Sequence, residues 1–207
     1  PAPVPMKQEL YEGVTYRRVV RYLPRPMIAH VLTIDTKEKG VEFLVTPPDS
    51  ESETPLKART TSQFLEEFDL QIAINGGGFS PWWSRSPADY YPHVGDPIAP
   101  AGFTASNGEV YWTTSNTEGI PPPLFISRRN VISFNNKPNR VHSAISGDRM
   151  LVLKGEIAPE LEGGEVEPRT AVGINRNGRY VYLVVVDGRQ PFYSEGATFT
   201  ELAQLLI

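Results

Sequence analysis

The stretch from Arg169 to Val186, RTAVGINRNGRYVYLVVV, constrains this chain more than any other. Two runs rich in β-branched and aromatic residues flank a turn at Asn175 to Gly178. An Asn-Gly pair in that setting is a strong hairpin signal, because a tight turn of the I′ type needs positive φ at both central residues. A turn at Asn177-Gly178 sets Arg169 opposite Val186 and Thr170 opposite Val185. Strict alternation then puts Thr170, Asp187 and Arg189 on one face and Arg169 on the other. Arg169 joins the others only if the strand twists or bulges at its end. The second run, Val181 to Val186, leads straight into Asp187-Gly188-Arg189. That tripeptide reads either as a simple turn or as the wall of a site. The following QPFYSEG favours the second reading, because Pro191 lacks a donor and the composition suits a loop rather than a partner strand.

Upstream, Val14 to Tyr22 alternate weakly, as an edge strand does. MIAHVLTI (27–34), VEFLVT (41–46) and LQIAIN (70–75) read as strands, the first two joined by a turn at KEKG (37–40). TTSQFLEEF reads as a short helix capped by Thr61 or Ser62, and TFTELAQLL as another capped by Thr198 or Thr200. PPDSESETP is a polar loop, and EGIPPPLFI has no regular start. GFTASNGEVYW is a hairpin with Asn107-Gly108 at its turn, LFISRRNVISF supplies one or two strands, and Met150 to Lys154 another. Strands outnumber helices and do not alternate with them. The expected fold class is therefore α+β: a largely antiparallel or mixed sheet domain with a few short helices.

At 207 residues the chain suits a single domain with a core of its own. A net charge of −4 without a basic tract argues against nucleic acid as a partner, and no apolar run is long enough to span a bilayer. The absence of cysteine excludes disulfides, thiolate metal sites and a cysteine nucleophile. Residues 1–12 are expected to be an N-terminal tether or arm, and residues 13–207 the domain. PAPVPMKQE resembles the tether left after signal-peptide cleavage, which favours a secreted, periplasmic or cell-envelope location over the cytosol. The last helix stops on Leu-Leu-Ile without a stop signal, so the domain is expected to continue past Ile207.

Three constellations could carry chemistry. The first is INGGGF (74–79). Glycines let a ligand approach the backbone, whose N–H groups can cradle an anion, and Asn75 offers a donor and an acceptor beside Gly76 and Gly77. The same triplet also suits a bend where sheet elements cross. The second is the strand tip. Arginine grips a phosphate through parallel hydrogen bonds, an aspartate beside it stays ionised, and Ser194 and Glu195 could complete the polar shell. Glu195 is equally a helix-start acid. The third is the aromatic group Trp82, Trp83, Tyr90, Tyr91 and Trp112. These rings suit the apolar faces of sugars, or pin down their own loop. His30 reads as a packed core histidine. His93 and His142 lack ligand spacing, so no metal centre is expected.

The run PRTAVGINRNGRYVYLVVVDGRQPFYSEGATFTELAQLL closely resembles the phosphodiester glycosidase family, that of N-acetylglucosamine-1-phosphodiester α-N-acetylglucosaminidase and of bacterial relatives linked to exopolysaccharides. GVTYRRV, AHVLTIDTK, TTSQF, AINGGGF and AISGDRMLVLKGE occur upstream in the family's order. Two features depart from the pattern. Gly78 stands where the family has the first Phe of Asn-Gly-Gly-Phe-Phe. The family also continues past the last helix into an Asp-Gly-Gly-Gly-Ser-Ser segment that helps build its site, which here would be missing or supplied as a separate fragment.

The resemblance implies hydrolysis of a sugar-1-phosphodiester to free sugar and phosphomonoester, with a glycan or sugar phosphate as substrate. No cofactor is implied, although a divalent cation could help hold the phosphate. Asp187 and Glu195 are then the catalytic candidates. Asn75, Gly76, Gly77, Arg169, Thr170, Gly188, Arg189 and Ser194 are the substrate-binding ones. Asp187 could stabilise oxocarbenium-like charge, act as nucleophile or base, or merely orient Arg189. The competing reading is a non-catalytic carbohydrate-binding domain on the same scaffold, with the aromatic loop as its platform.

Overall fold

The computed structural model describes residues 6–49, 54–113 and 121–207. The first residues of the expected tether, the middle of the loop after Thr46 and the Glu118-Gly119-Ile120 part of the irregular stretch lie outside the described residues. The chain divides into two compact units. One is formed by residues 1–41 and 150–207, and the other by residues 42–149.

The first unit is a five-stranded antiparallel sheet in the order Lys7–Tyr11, Val14–Arg21, Met27–Asp35, Tyr180–Val186, Arg169–Ile174. Lys7–Tyr11, expected in the tether, is thus its outer strand, and Val14–Arg21 lies inside the sheet rather than at its edge. The terminal hairpin pairs in the anticipated register, with Arg169 opposite Val186 and Thr170 opposite Val185. One sheet face carries the core: Met27, Ala29, Ala171, Val184 and Val186 pack with Ala197 and Leu202. Leu202 comes from the helix Phe199–Gln204, whose capping box is Thr198 with Glu201. Its near-complete burial contributes about 1.5–3 kcal/mol. Arg25 anchors the same helix through Glu201. At the far end of the sheet Asp35 takes a bidentate grip from Arg179, with contacts of 2.6 and 3.0 Å to one oxygen. That hydrogen bonding holds the Asp35 carboxyl below its ordinary value, against the opposing effect of burial.

The second unit contains a five-stranded antiparallel sheet in the order Glu109–Trp112, Thr104–Ser106, Ser143–Ser146, Pro123–Ile126, Ile132–Phe134. Asn107 and Gly108, both at positive φ, make the expected hairpin turn. Ala105, Phe125 and Ala144 form its buried centre. Beside it are a small sheet (Leu56–Lys57, Pro97–Pro100, Phe79–Ser80) and a ribbon of Trp83–Ser86 with Asp89–Tyr91. The helix Thr61–Glu67 is capped by Thr60 with Gln63, one residue earlier than expected.

The α+β expectation is corrected. Strands hold 40% of the structure and two helices only 7%, so the fold is predominantly β, and every strand pairing described is antiparallel. The helices are real, but each ends within two turns, too short to form a layer. Residues 41–46 and 70–75, expected as strands, join no ladder. In the first of these the carbonyls of Val45 and Thr46 accept from the hydroxyls of Ser106 and Tyr111 instead of from a neighbouring strand.

Candidate functional site

Asp187 is the first residue past the strand Tyr180–Val186, and the ladder still holds it. Its N–H donates to the Ile28 carbonyl at 3.0 Å. The return bond of that rung, from Ile28 N–H to the Asp187 carbonyl, is opened. The Ser194 hydroxyl sits in the gap, accepting from Ile28 N–H at 2.9 Å and donating to the Asp187 carbonyl at 2.7 Å. Ser194 is fully buried. It closes the loop that leaves the strand, because Gln190 and Ser194 also pair backbone to backbone. Ser194, expected in the substrate shell, is therefore a structural splice.

The Asp187 side chain continues the face that carries Ile28, His30 and Leu32 on the neighbouring strand. Its Oδ2 lies 3.0 Å from His30 Nε2, and His30 Nδ1 lies 2.8 Å from the Tyr16 hydroxyl. A carboxylate only accepts, so Nε2 carries the proton in the neutral ring and Nδ1 accepts from tyrosine. Burial raises the Tyr16 phenol above its ordinary value, partly countered by Arg18 and reinforced by Asp187 and Tyr193. It remains a donor at neutral pH. The His30 and Asp187 side chains are 32% and 26% exposed, open enough to meet a ligand. Arg18 stands directly opposite His30 in the ladder and is half-buried, and Thr170 lies in the same row across Val185. His30, read from the sequence as core, thus lies beside Asp187 in the candidate site, with Tyr16 and Arg18, which the sequence reading passed over, next to it. Only the three-strand register makes them neighbours.

The two arginines expected at this site are engaged elsewhere. Arg169 is on the opposite face, as alternation dictates, and does not turn in. Its guanidinium lies 3.8 Å from the centre of the Phe199 ring and donates to the carbonyls of Glu165 and Ala197. Arg189 takes a left-handed backbone conformation and pairs with Glu167 at 2.7 Å, its side chain 73% exposed. Gly188 packs so tightly on Pro168 that a Cβ would come within 2.5 Å of its nitrogen. Glu195 is half-buried and anchors the loop through its backbone, donating to Pro26 and accepting from Arg189.

Asn75, Gly76 and Gly77 belong to the second unit. There a Cβ on Gly76 would meet the Ile145 side chain, and one on Gly77 would collide with the Ser146 carbonyl oxygen. Close packing on the strand Ser143–Ser146 thus requires Gly77, while at Gly76 the end of the Ile145 side chain would have to shift. The ribbon of this unit is aromatic and open. Trp82, Trp83, Tyr90 and Phe79 are exposed, Trp83 stacks with Tyr91 at 6.3 Å, and Arg85 lies 4.9 Å over Trp83. A depression beside the helix Thr61–Glu67 contains Arg59, but Asp49 and Glu67 already hold that guanidinium. Among the described residues no three His, Asp or Glu side chains are placed to hold a metal ion. No helix described is long and apolar enough to cross a membrane.

A family model described as phosphodiester glycosidase matches residues 68–207 of the chain. No curated protein matches it.

Proposed function

The chain belongs to the phosphodiester glycosidase family, and from that premise we propose that it is a hydrolase acting on a sugar-1-phosphodiester of a cell-envelope or extracellular glycan. The observation that carries this reading is the placement of Asp187. It is a carboxylate fixed through its backbone at a strand end, on a partly open face beside His30 and Arg18. Water replaces the phosphoryl oxygen at the sugar's C1. The C1–O bond breaks, its electron pair leaves with the phosphate, and the products are free sugar and phosphomonoester.

Such a leaving group is already anionic and needs cationic recognition more than it needs a general acid. Arg18 takes that role, since Arg169 and Arg189 are held by other partners. Arg189 pairs with Glu167, so Asp187 does not serve to orient it. Asp187 acts on the reacting carbon, stabilising its positive charge or accepting a proton from water. A secreted or envelope location would fit such a substrate.

The exposed ribbon supports a sugar ligand, because aromatic faces match the apolar faces of pyranose rings, with Arg85 and Asp89 as polar neighbours. It also sustains the second reading, a carbohydrate-binding domain without turnover. Release of phosphomonoester from alkyl N-acetylglucosamine-1-phosphodiesters, followed by 31P NMR, decides between them. Asp187→Asn should lower kcat by about 10³-fold or more, while Arg18→Leu should chiefly raise KM. An Asp187→Asn variant that folds and keeps full turnover removes the assignment. Glycan binding without turnover in the wild type establishes the second reading.

A further inference from the structure

The geometry points to His30 and Tyr16 as positioning residues for Asp187: a two-step relay that fixes which carboxylate oxygen faces the substrate. The inference rests on the function proposed above and adds to it two residues that do not themselves touch the reacting atoms.

The relay follows from the donor inventory. Asp187 Oδ2 accepts from His30 Nε2 at 3.0 Å, which leaves Oδ1 as the oxygen His30 does not engage. A neutral imidazole has one N–H, and left alone it divides between two tautomers. Only the Nε2–H tautomer can donate to Asp187. The Tyr16 hydroxyl, 2.8 Å from Nδ1, reinforces that form by donating to the other nitrogen. The ring planes lie 22° apart with centroids at 5.9 Å, and hydrogen bonds at both ring nitrogens hold the imidazole in place. Val14–Arg21 and Tyr180–Val186 flank Met27–Asp35, which places the three side chains on three adjacent strands of one sheet face. A base held by one group and oriented by a third is the arrangement that makes a side chain effective in proton transfer. Outer partners of this kind typically matter by about 10–100-fold in activity.

The test uses the whole chain labelled with 15N-histidine, with His30 assigned by its loss in His30→Gln. In its neutral form His30 should show the Nε2–H tautomer, and removing both partners in Tyr16→Phe with Asp187→Leu should return it to a mixture. On the N-acetylglucosamine-1-phosphodiester, His30→Leu should lower kcat by about 10–100-fold with KM within about twofold. His30→Gln, which restores an N–H near the Nε2 position, should recover most of that loss. Tyr16→Phe should produce a smaller kcat loss of the same kind, and it keeps the test available if His30→Leu fails to fold. An Nδ1–H tautomer in the wild type, or a folded His30→Leu chain with unchanged kcat, overturns the relay. A wild-type chain that turns over no sugar-1-phosphodiester overturns the proposed function instead, and the tautomer then decides the relay by itself.

Discussion

Replacing Ser194 by alanine separates a structural role from a substrate-binding one. The hydroxyl is fully buried and makes two hydrogen bonds, accepting from Ile28 N–H at 2.9 Å and donating to the Asp187 carbonyl at 2.7 Å. Alanine removes both and leaves a buried backbone donor and a part-buried acceptor facing each other across a gap one oxygen wide. Each unsatisfied group costs about 1–3 kcal/mol, and partial closure of the gap recovers some of it, so the expected loss is about 2–4 kcal/mol. For a chain of this size that lowers Tm by about 4–16 °C. The local signature is sharper: Ile28 amide exchange should accelerate by about 10–100-fold while amides at the far end of the same strand change less. Urea unfolding and residue-resolved hydrogen exchange measure the two effects. The Asp187 carbonyl loses its anchor in the same variant, so kcat should fall too. Ser194→Ala within about 0.5 kcal/mol of wild type, with KM raised, would refute the reasoning and return Ser194 to the substrate shell.

Two further expectations concern the second unit. Gly77→Ala should destabilise the protein by about 1–3 kcal/mol or more, because the new methyl collides with a backbone carbonyl that cannot move aside. Gly78→Ala, whose Cβ would sit 3.4 Å from the Ala101 side chain, should cost less. Equal thermal shifts for the two variants would contradict the packing argument. The second expectation concerns pH. Hydrogen bonds from Arg59 hold both Asp49 and Glu67 below the ordinary carboxyl range, against some opposing desolvation. Depressed folded values mean that this contribution is present above about pH 4 and is lost as pH falls through them. Arg59→Met should therefore lower the urea midpoint clearly near pH 7 and much less near pH 3. An equal gap at both pH values would show that the network is not the source.

The register of the terminal hairpin was legible, although the turn is not the tight I′ form: of Asn177 and Gly178 only Gly178 takes a positive φ, and its N–H donates to the Asn175 carbonyl. An Asn-Gly turn fixes register, register fixes facing, and the opposition of Thr170 and Asp187 to Arg169 follows with no knowledge of the rest of the fold. The cap of the second helix, Thr198, was legible because it is written within a few residues of the helix, while the first helix is capped by Thr60, one residue before the earliest cap expected. What failed was non-local. VEFLVT has the composition of a strand, but ladder membership depends on a partner elsewhere, and there the partners are side-chain hydroxyls. His30, flanked by apolar residues, looked like core. Its role emerges only when strands beginning at Val14, Met27 and Tyr180 are laid side by side. The arginines near Asp187 in sequence misled because proximity along the chain says nothing about what else a guanidinium can reach. Arg169 found an aromatic ring on the far face, and Arg189 found Glu167.

The acid at the end of an apolar strand has its explanation in the opened rung. Had Ile28 and Asp187 exchanged both backbone bonds, the sheet would simply have run on by one more pair, and nothing would mark the position. With Ser194 inserted in one of the two bonds, the chain turns away immediately after Asp187 while Asp187 itself keeps its place in the ladder. The carboxylate is thus rooted in the ladder of the first unit's sheet, yet it projects where the sheet stops being continuous. Backbone bonds on either side of Cα fix where the side chain starts, and the His30 ring fixes how it is turned. The abrupt Asp187-Gly188-Arg189 sequence is the covalent expression of that division. Aspartate belongs to the ladder, glycine lets the chain pass Pro168, and arginine is already part of the loop.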